Sequence, residues 1–377
     1  MAKDLKNIIQ DRVNINGSSS LIYKPLIFNL KRKNDRTNLL SLFRQNKILK
    51  VIDDFDEEKK ELNIVKNPKI ISHALLFPQK RKIKNKIVLE DGVWVYYPWR
   101  ETLVHILDKK SYHQLRISRN FNLILPTEQK KFENLRIGLA GLNVGNPAAI
   151  CFALEGIWKM KFADFDPLSL SNLNRFRAGI PDLGLNKVFL SARQAYEINP
   201  FLGIEIFEKG IQPENIDRFL LKPKIDVLIE EMDNLKLKIV IREKAKKYRI
   251  PVLMVTGNGE NIIIDIERFD QNPRLSLLNG YLKKGVIDKI QKIQPGKGTF
   301  EERIELARDF MGAKYLTKRL QDSFRLVGSK LAGIPQIAES SFLRGAALCY
   351  FVRQIATGKK VPSGRYYLKL DSVIKNK

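Results

Sequence analysis

Apolar and polar positions along the chain follow two rhythms. From 21 to about 107 the pattern is mixed, with a helical, acidic middle at Asp53 to Glu61. After it "KIVLEDGVWVYYPW" reads as two strands around an Asp-Gly turn. From Asn134 the rhythm becomes strand, helix, strand, helix. "LRIGLAG" is a buried strand, 146–158 a helix, "KMKFAD" a strand, and 186–198 a helix with Val188, Leu190, Ala192 and Ala195 as its apolar positions. Then follow "GIEIFE", a short helix from Pro213, the strand "IDVLIEE", a helix over 235–248 and the strand "PVLMVT", with one more strand at 261–267. Beyond about Asn272 the spacing is helical in "TFEERIELARDFMGAKYLTKRL" and "SFLRGAALCYFVRQIATG", and "RYYLKLDSVI" closes as an edge strand.

Such alternation predicts an α/β fold of the Rossmann-like, doubly wound kind, a mainly parallel sheet with helices on both faces. The expected division is a flexible start (1–20), a small α+β domain (21–110), a nucleotide-binding domain (111–270) and a helical C-terminal extension packed on it (271–377).

Composition narrows the chemistry. An apolar share of 44% in 377 residues suffices for a buried core, and no run of eighteen apolar residues offers a membrane span. The start lacks an apolar signal core, so a cytoplasmic chain without membrane contact is expected. Two cysteines (Cys151 and Cys349) and three scattered histidines supply neither a disulfide framework nor a zinc site, and no zinc is expected. The cysteines read as core thiols. The charge of +26, from 67 basic and 41 acidic residues, would draw polyanions. It is spread along the chain, apart from clusters at Lys31 to Lys33 and Lys80 to Lys86, and reads chiefly as a lysine-rich solvated surface. The same reading covers the lysines of "KLKIVIREKAKKYR". Trp94, Tyr96, Tyr97 and Trp99 could stack bases, but alternation in "VWVYY" favours one buried hairpin face, and His105 reads as a satisfied strand histidine.

In an open parallel sheet, ligands sit beyond the carboxyl ends of the strands. The first turn there is "GLAGLNVGNP", in which Gly141 and Gly145 would let backbone N–H groups approach phosphate oxygens at a helix N-terminus. Alone, this is a strand-to-helix turn like many others. The second strand ends in Asp164, about 20 residues on, where a ribose-binding acid belongs. Asp166, Asn172, Asn174, Arg175 and Lys187 follow, and two cations near a helix start suit a triphosphate whose leaving pyrophosphate needs its charge balanced. Glu230 and Glu231 end a strand just before Asp233. Glu231 reads equally as a helper to a metal or as a solvated strand end.

"DFDPLSLSNLNRF" with "GLNKV", and later "MDNLKLK", resembles the ThiF/MoeB/E1-like adenylating superfamily, over about 118–270. The entry segment and tail resemble a bacterial subgroup in which such a domain is sometimes fused to a nitroreductase-like one. The resemblance implies ATP and Mg²⁺ as cofactors. Asp164 would bind the ribose hydroxyls and Asp166 support that turn; Asn172, Arg175 and Lys187 would contact phosphates, and Asp233 would hold Mg²⁺ beside Asn234. Arg119, in "RISRNF", would reach across a homodimer to the partner's phosphates. The implied reaction is adenylation of a carboxylate, such as the free C-terminus of a small protein or peptide, with release of pyrophosphate. The chain departs from the family loop G-x-G-G-x-G, keeping only its last glycine in register and placing Leu142 near the α-phosphate. Lys238 stands where the family often has Arg. Rival readings are a superfamily branch that activates a carboxyl on a modified tRNA base, a degenerate nucleotide-binding scaffold, and a NAD-dependent reductase.

Overall fold

The structure, a computed structural model, describes residues 5, 21–70, 88–282, 284–292 and 299–373. The basic cluster at 80–86 and, apart from Leu5, the expected flexible start lie outside these residues. Two compact units divide the chain, residues 1–126 with 195–201 and residues 127–194 with 202–377.

The first unit carries a four-stranded sheet ordered β1-β3-β4-β2, from β1 (Leu26–Phe28), β2 (Lys50–Asp53), β3 (Val93–Tyr97) and β4 (Thr102–Ile106). Its helices are α1 (Lys33–Arg44), α2 (Phe55–Lys66) and α3 (Lys109–Arg116). The hairpin expected around Asp91-Gly92 is not the one formed. Val88 to Asp91 are not strand, and β3 instead pairs antiparallel with β4 and β1. Gly92 has a positive φ of 64°, and a Cβ there would sit 2.3 Å from the Ile106 carbonyl oxygen. The glycine thus serves a close approach to β4 rather than a two-strand turn. Nor is only one face of "VWVYY" buried. Trp94 and Tyr96 pack with Phe28, Leu39 and Leu103, while Val93 and Val95 pack with Ile106 on the other side. His105 is the satisfied strand histidine expected. It stacks between Phe55 and Trp94 at 4.2 Å each, with its ring nitrogens against Asp53 and the Asp91 carbonyl.

The second unit opens with α4 (Pro126–Asn134) and holds a seven-stranded sheet ordered β11-β10-β9-β8-β5-β6-β7. Strands β5 (Arg136–Ala140), β6 (Lys159–Ala163), β7 (Gly203–Phe207), β8 (Val227–Glu230) and β9 (Val252–Asn258) run parallel. Two more, β10 (Asn261–Glu267) and β11 (Gly364–Leu368), close one edge antiparallel. The connecting helices are α5 (Gly145–Glu155), α6 (Lys187–Ile198), α7 (Ile216–Leu221) and α8 (Leu235–Lys247), followed by α9 (Lys284–Lys292), α10 (Phe300–Met311), α11 (Lys318–Leu326), α12 (Ala338–Ala356) and α13 (Leu370–Val373). This is the mainly parallel α/β sheet that the alternation implied. Helix α5 stops three residues short of Trp158, because Gly156 takes the left-handed cap and both Gly156 and Ile157 donate back to the Phe152 carbonyl.

Two packing features position the site. On one sheet face Ile216, Phe219, Ile241 and Ala245 of α7 and α8 bury against Ala140, Ala163, Leu228 and Val252. Helix α12 lies against α5, and the contact is close because of Gly345, where a Cβ would fall 2.6 Å from Pro147. That approach holds the neighbouring Arg344 at the strand ends.

Candidate active site

The carboxyl ends of β5, β6 and β8 border a cavity of about 270 Å³, lined by Gly141, Asn143, Asp164, Phe165, Asp166, Gly210, Ile211, Gln212, Glu231, Met232, Asp233, Asn234 and Leu237. A second cavity, about 160 Å³, shares Glu231, Met232 and Asp233 and extends toward β9, α10 and α12.

Gly141 follows β5 with φ +89°, and a Cβ on it would strike the Glu231 carbonyl oxygen at 2.4 Å. Its missing side chain therefore lets the β5 turn touch the end of β8. Leu142 is fully buried and does not line the cavity, so it leaves the phosphate side of the loop open. Gly145 lies behind it, where a Cβ would meet Leu142 at an ordinary 3.6 Å. No side chain caps the N-terminus of α5, whose first residues Gly145, Asn146 and Pro147 are buried, and the Asn146 N–H donates to the Leu142 carbonyl.

Asp164 ties the two turns together. One carboxylate oxygen accepts from the Leu142 N–H at 2.6 Å and the other from the Asp166 N–H at 2.8 Å. Burial raises its pKa against those hydrogen bonds and the Lys187 charge. Lys187 is buried at the start of α6 and reaches Asp166 at 3.3 Å, on the cavity rim. Asn172 is buried in its own turn, where its Oδ1 accepts from the Ser169 N–H. Arg175 donates to the Ser171 carbonyl and to Asn174, while its Nε is buried without a partner. Burial lowers its pKa, and the field of Asp233 opposes that shift. Asp233 itself is exposed and faces both cavities. Asn234 caps α8 by accepting from the Leu237 N–H. Arg119 is exposed in the 3-10 turn Ser118–Asn120 of the first unit.

Behind Asp233 lies a buried ionic network, one member of which, Lys238, was expected on a solvated helix face. Glu230, Lys238, Arg242 and Glu267 are all buried, with Lys238 3.1 Å from Glu230, Arg242 bonded to Glu230, and Arg242 2.8 Å from Glu267. Two faces of α8 therefore carry charge, because the strand ends beneath it hold matching carboxylates. Burial pushes Glu230 up, but the two cations outweigh it and hold the carboxyl below its usual range. Glu231 is not a solvated strand end either. Burial lifts it to about 8 against Lys238 and Arg344, and it accepts from the Val255 N–H at 2.7 Å. Cys349 is the core thiol expected, whereas Cys151 is half-buried; burial raises both pKa values.

The arrangement brings Gly141, Asp164, Asp166 and Asp233 onto one cavity, with Lys187 joined through Asp166 and Arg175 within the field of Asp233. Its volume lies near the lower end of small-molecule sites, about 300–1,000 Å³. Among the described residues no group of three or more His, Cys, Asp or Glu could hold a metal. A lone exposed carboxylate fits Mg²⁺, which keeps waters and takes phosphate oxygens for its remaining positions. Phe165, Gly210, Gln212 and Arg344 escaped the sequence reading. Only Arg344 left a signal, an Arg-Gly pair followed by the apolar run Ala346 to Val352.

Fold and site together define an α/β protein with a ligand cavity at the carboxyl ends of its parallel strands. Residues 117–261 match the ThiF family, and this stretch belongs to the ThiF/MoeB/E1-like superfamily. An uncharacterized protein of Mycobacterium tuberculosis is 34% identical over 74% of this chain and 38% of its own length. A probable molybdopterin-synthase adenylyltransferase of Porphyra purpurea is 31% identical over 30% of this chain and 29% of its own. The tRNA threonylcarbamoyladenosine dehydratase of Haemophilus influenzae is 28% identical over 39% and 58%. The chain thus spans well under two thirds of the length of these relatives. Among the described residues no helix is long and apolar enough to cross a membrane.

Proposed function

We propose that the protein is an ATP-dependent adenylyltransferase that activates a carboxylate at the C-terminus of a small protein or peptide. One observation carries this reading: Asp233 is exposed to two cavities at once, so a phosphate held in the larger one lies within reach of a carboxylate held in the smaller. The larger cavity would take the nucleotide, with Phe165 and Ile211 against the base and Asp164 at the ribose. Gly141 would shape the loop, and the α5 N-terminus at Gly145 would face the phosphates, with Asp166, Lys187, Asn172 and Arg175 along their flank. Mg²⁺ on Asp233 would neutralise charge on the leaving group. An acceptor carboxylate oxygen then attacks the α-phosphorus; the new O–P bond forms as the bond to the bridging oxygen breaks, and pyrophosphate departs. Positioning and charge neutralisation supply the rate, and no protein nucleophile is needed. Arg119 would act across a homodimer.

The adenylyltransferase name of the algal relative supports this reading. A second one is favoured by the name of the Haemophilus relative and by the +26 charge, namely activation of a carboxyl on a tRNA base. Exchange of labelled pyrophosphate into ATP separates them. Exchange stimulated by peptides with a free C-terminus supports the first, and exchange stimulated only by tRNA, lost steeply with salt, supports the second. No exchange with either, together with no ATP binding, leaves a scaffold.

A further inference from the structure

One side of the smaller cavity is walled by residues outside the stretch that matches the ThiF family. Phe310 and Met311 come from α10, Ile334 from the loop before α12, and Arg344 from α12 itself. Met254, Phe310, Met311 and Ile334 give it apolar lining, Lys238 reaches between Met254 (3.5 Å) and the Phe310 ring (5.7 Å), and Glu231, Asp233 and Arg344 complete it. An apolar cavity of about 150 Å³ accommodates a benzene-sized group, so one of about 160 Å³ suits a side chain near leucine in size.

Arg344 is buried and oriented. Its Nε donates to the Ser340 carbonyl at 3.2 Å, and its Nη2 lies 3.5 Å from Gln336 Oε1. The guanidinium carbon lies 3.4 Å from where a Cβ on Gly257 would be, so the bare backbone of β9 forms its floor. Both groups it bonds are neutral. Glu231, which lines the same cavity, is already engaged by the Val255 N–H. The Arg344 guanidinium thus lines the cavity together with the Asp233 carboxylate.

We infer that this cavity seats the last residue of the acceptor: Arg344 holds its terminal carboxylate, and the apolar wall takes a side chain of about leucine size. The inference rests on the adenylation reading and sharpens its substrate class, from any C-terminus to one ending in a medium aliphatic residue. A glycine end would leave the wall unfilled, and an indole would not enter.

The test uses the full chain with Mg²⁺ and a non-hydrolysable ATP analogue. Fluorescein-labelled octapeptides identical except for a terminal Gly, Leu or Trp, each as free acid and as amide, are titrated by anisotropy. The Leu acid should bind tightest, the Gly acid about tenfold weaker, an apolar side chain's burial being of that size. The Trp acid should bind weaker than the Leu acid, and the Leu amide at least tenfold weaker. Arg344→Gln should bind acid and amide alike with analogue affinity unchanged, and Arg344→Lys should restore part of the preference. Ala307→Leu, which fills the wall without touching Arg344, should turn the preference toward Gly. Equal binding of acid and amide by the wild type, a preference surviving Arg344→Gln, or no peptide binding while the analogue binds would overturn this inference and leave the adenylation reading standing. Failure to bind the analogue would remove both.

Discussion

The two cavities meet at Glu231, Met232 and Asp233 yet were written into the sequence in different ways. The larger one is assembled within about a hundred residues, from turns that each follow a strand. Its residue types therefore cluster in readable runs such as "DFDPLSLSNLNRF". The smaller one joins β8 and β9 to helices that follow about fifty to over a hundred residues later, and nothing in the local spacing of Phe310, Ile334 or Arg344 announces that they meet. Short-range order reveals the chemistry at strand ends; the wall beside it depends on how a remote helix docks, here through Gly345 on Pro147.

That contrast can be broken at its shared floor. Asp233→Ala should lower pyrophosphate exchange by at least about 100-fold while leaving the melting curve in place, since the side chain is exposed. An unchanged rate would mean that the floor is not where the two substrates meet. One layer down, Glu230→Ala should destabilise the chain by about 3–5 kcal/mol in denaturant titration, because it strands Lys238 and Arg242 as unpaired buried cations. A loss near zero would mean that water reaches the network.

The same boundary separates what the sequence made legible from what it hid. The succession of elements, the parallel sheet and the edge strand follow from period, and Asp164 from its position after the second strand, whereas Asp166 and Asp233 were marked by the family resemblance. The jobs of small and charged residues do not. Gly141 reads as room for a phosphate, but its Cβ would strike the end of β8. Lys238 reads as part of a solvated lysine face because its carboxylate partner Glu230 sits on another element 8 residues away, just as Arg242 meets Glu267 only across 25 residues. Asp91-Gly92 reads as a hairpin turn because dipeptide statistics outrank tertiary crowding until the neighbouring strand is known.

A smaller effect concerns Glu231. Its folded pKa of about 8 exceeds the ordinary 4.5, so the folded state holds a proton that the unfolded chain releases. Stability from this group is full below 4.5 and is lost as the pH rises toward 8. Glu231→Gln should therefore raise the melting temperature by a few degrees at pH 8.5 and leave it unchanged at pH 4. The smallest expected change is for Phe165→Ala, at the exposed rim of the larger cavity, which should weaken ATP binding by about 1 kcal/mol in calorimetry and leave stability alone.

The most direct test is a crystal structure with Mg²⁺ and a non-hydrolysable ATP analogue. The account predicts the ribose at Asp164, the metal on Asp233, and the α-phosphate between the two cavities. An analogue bound elsewhere, or a metal held away from Asp233, would contradict it.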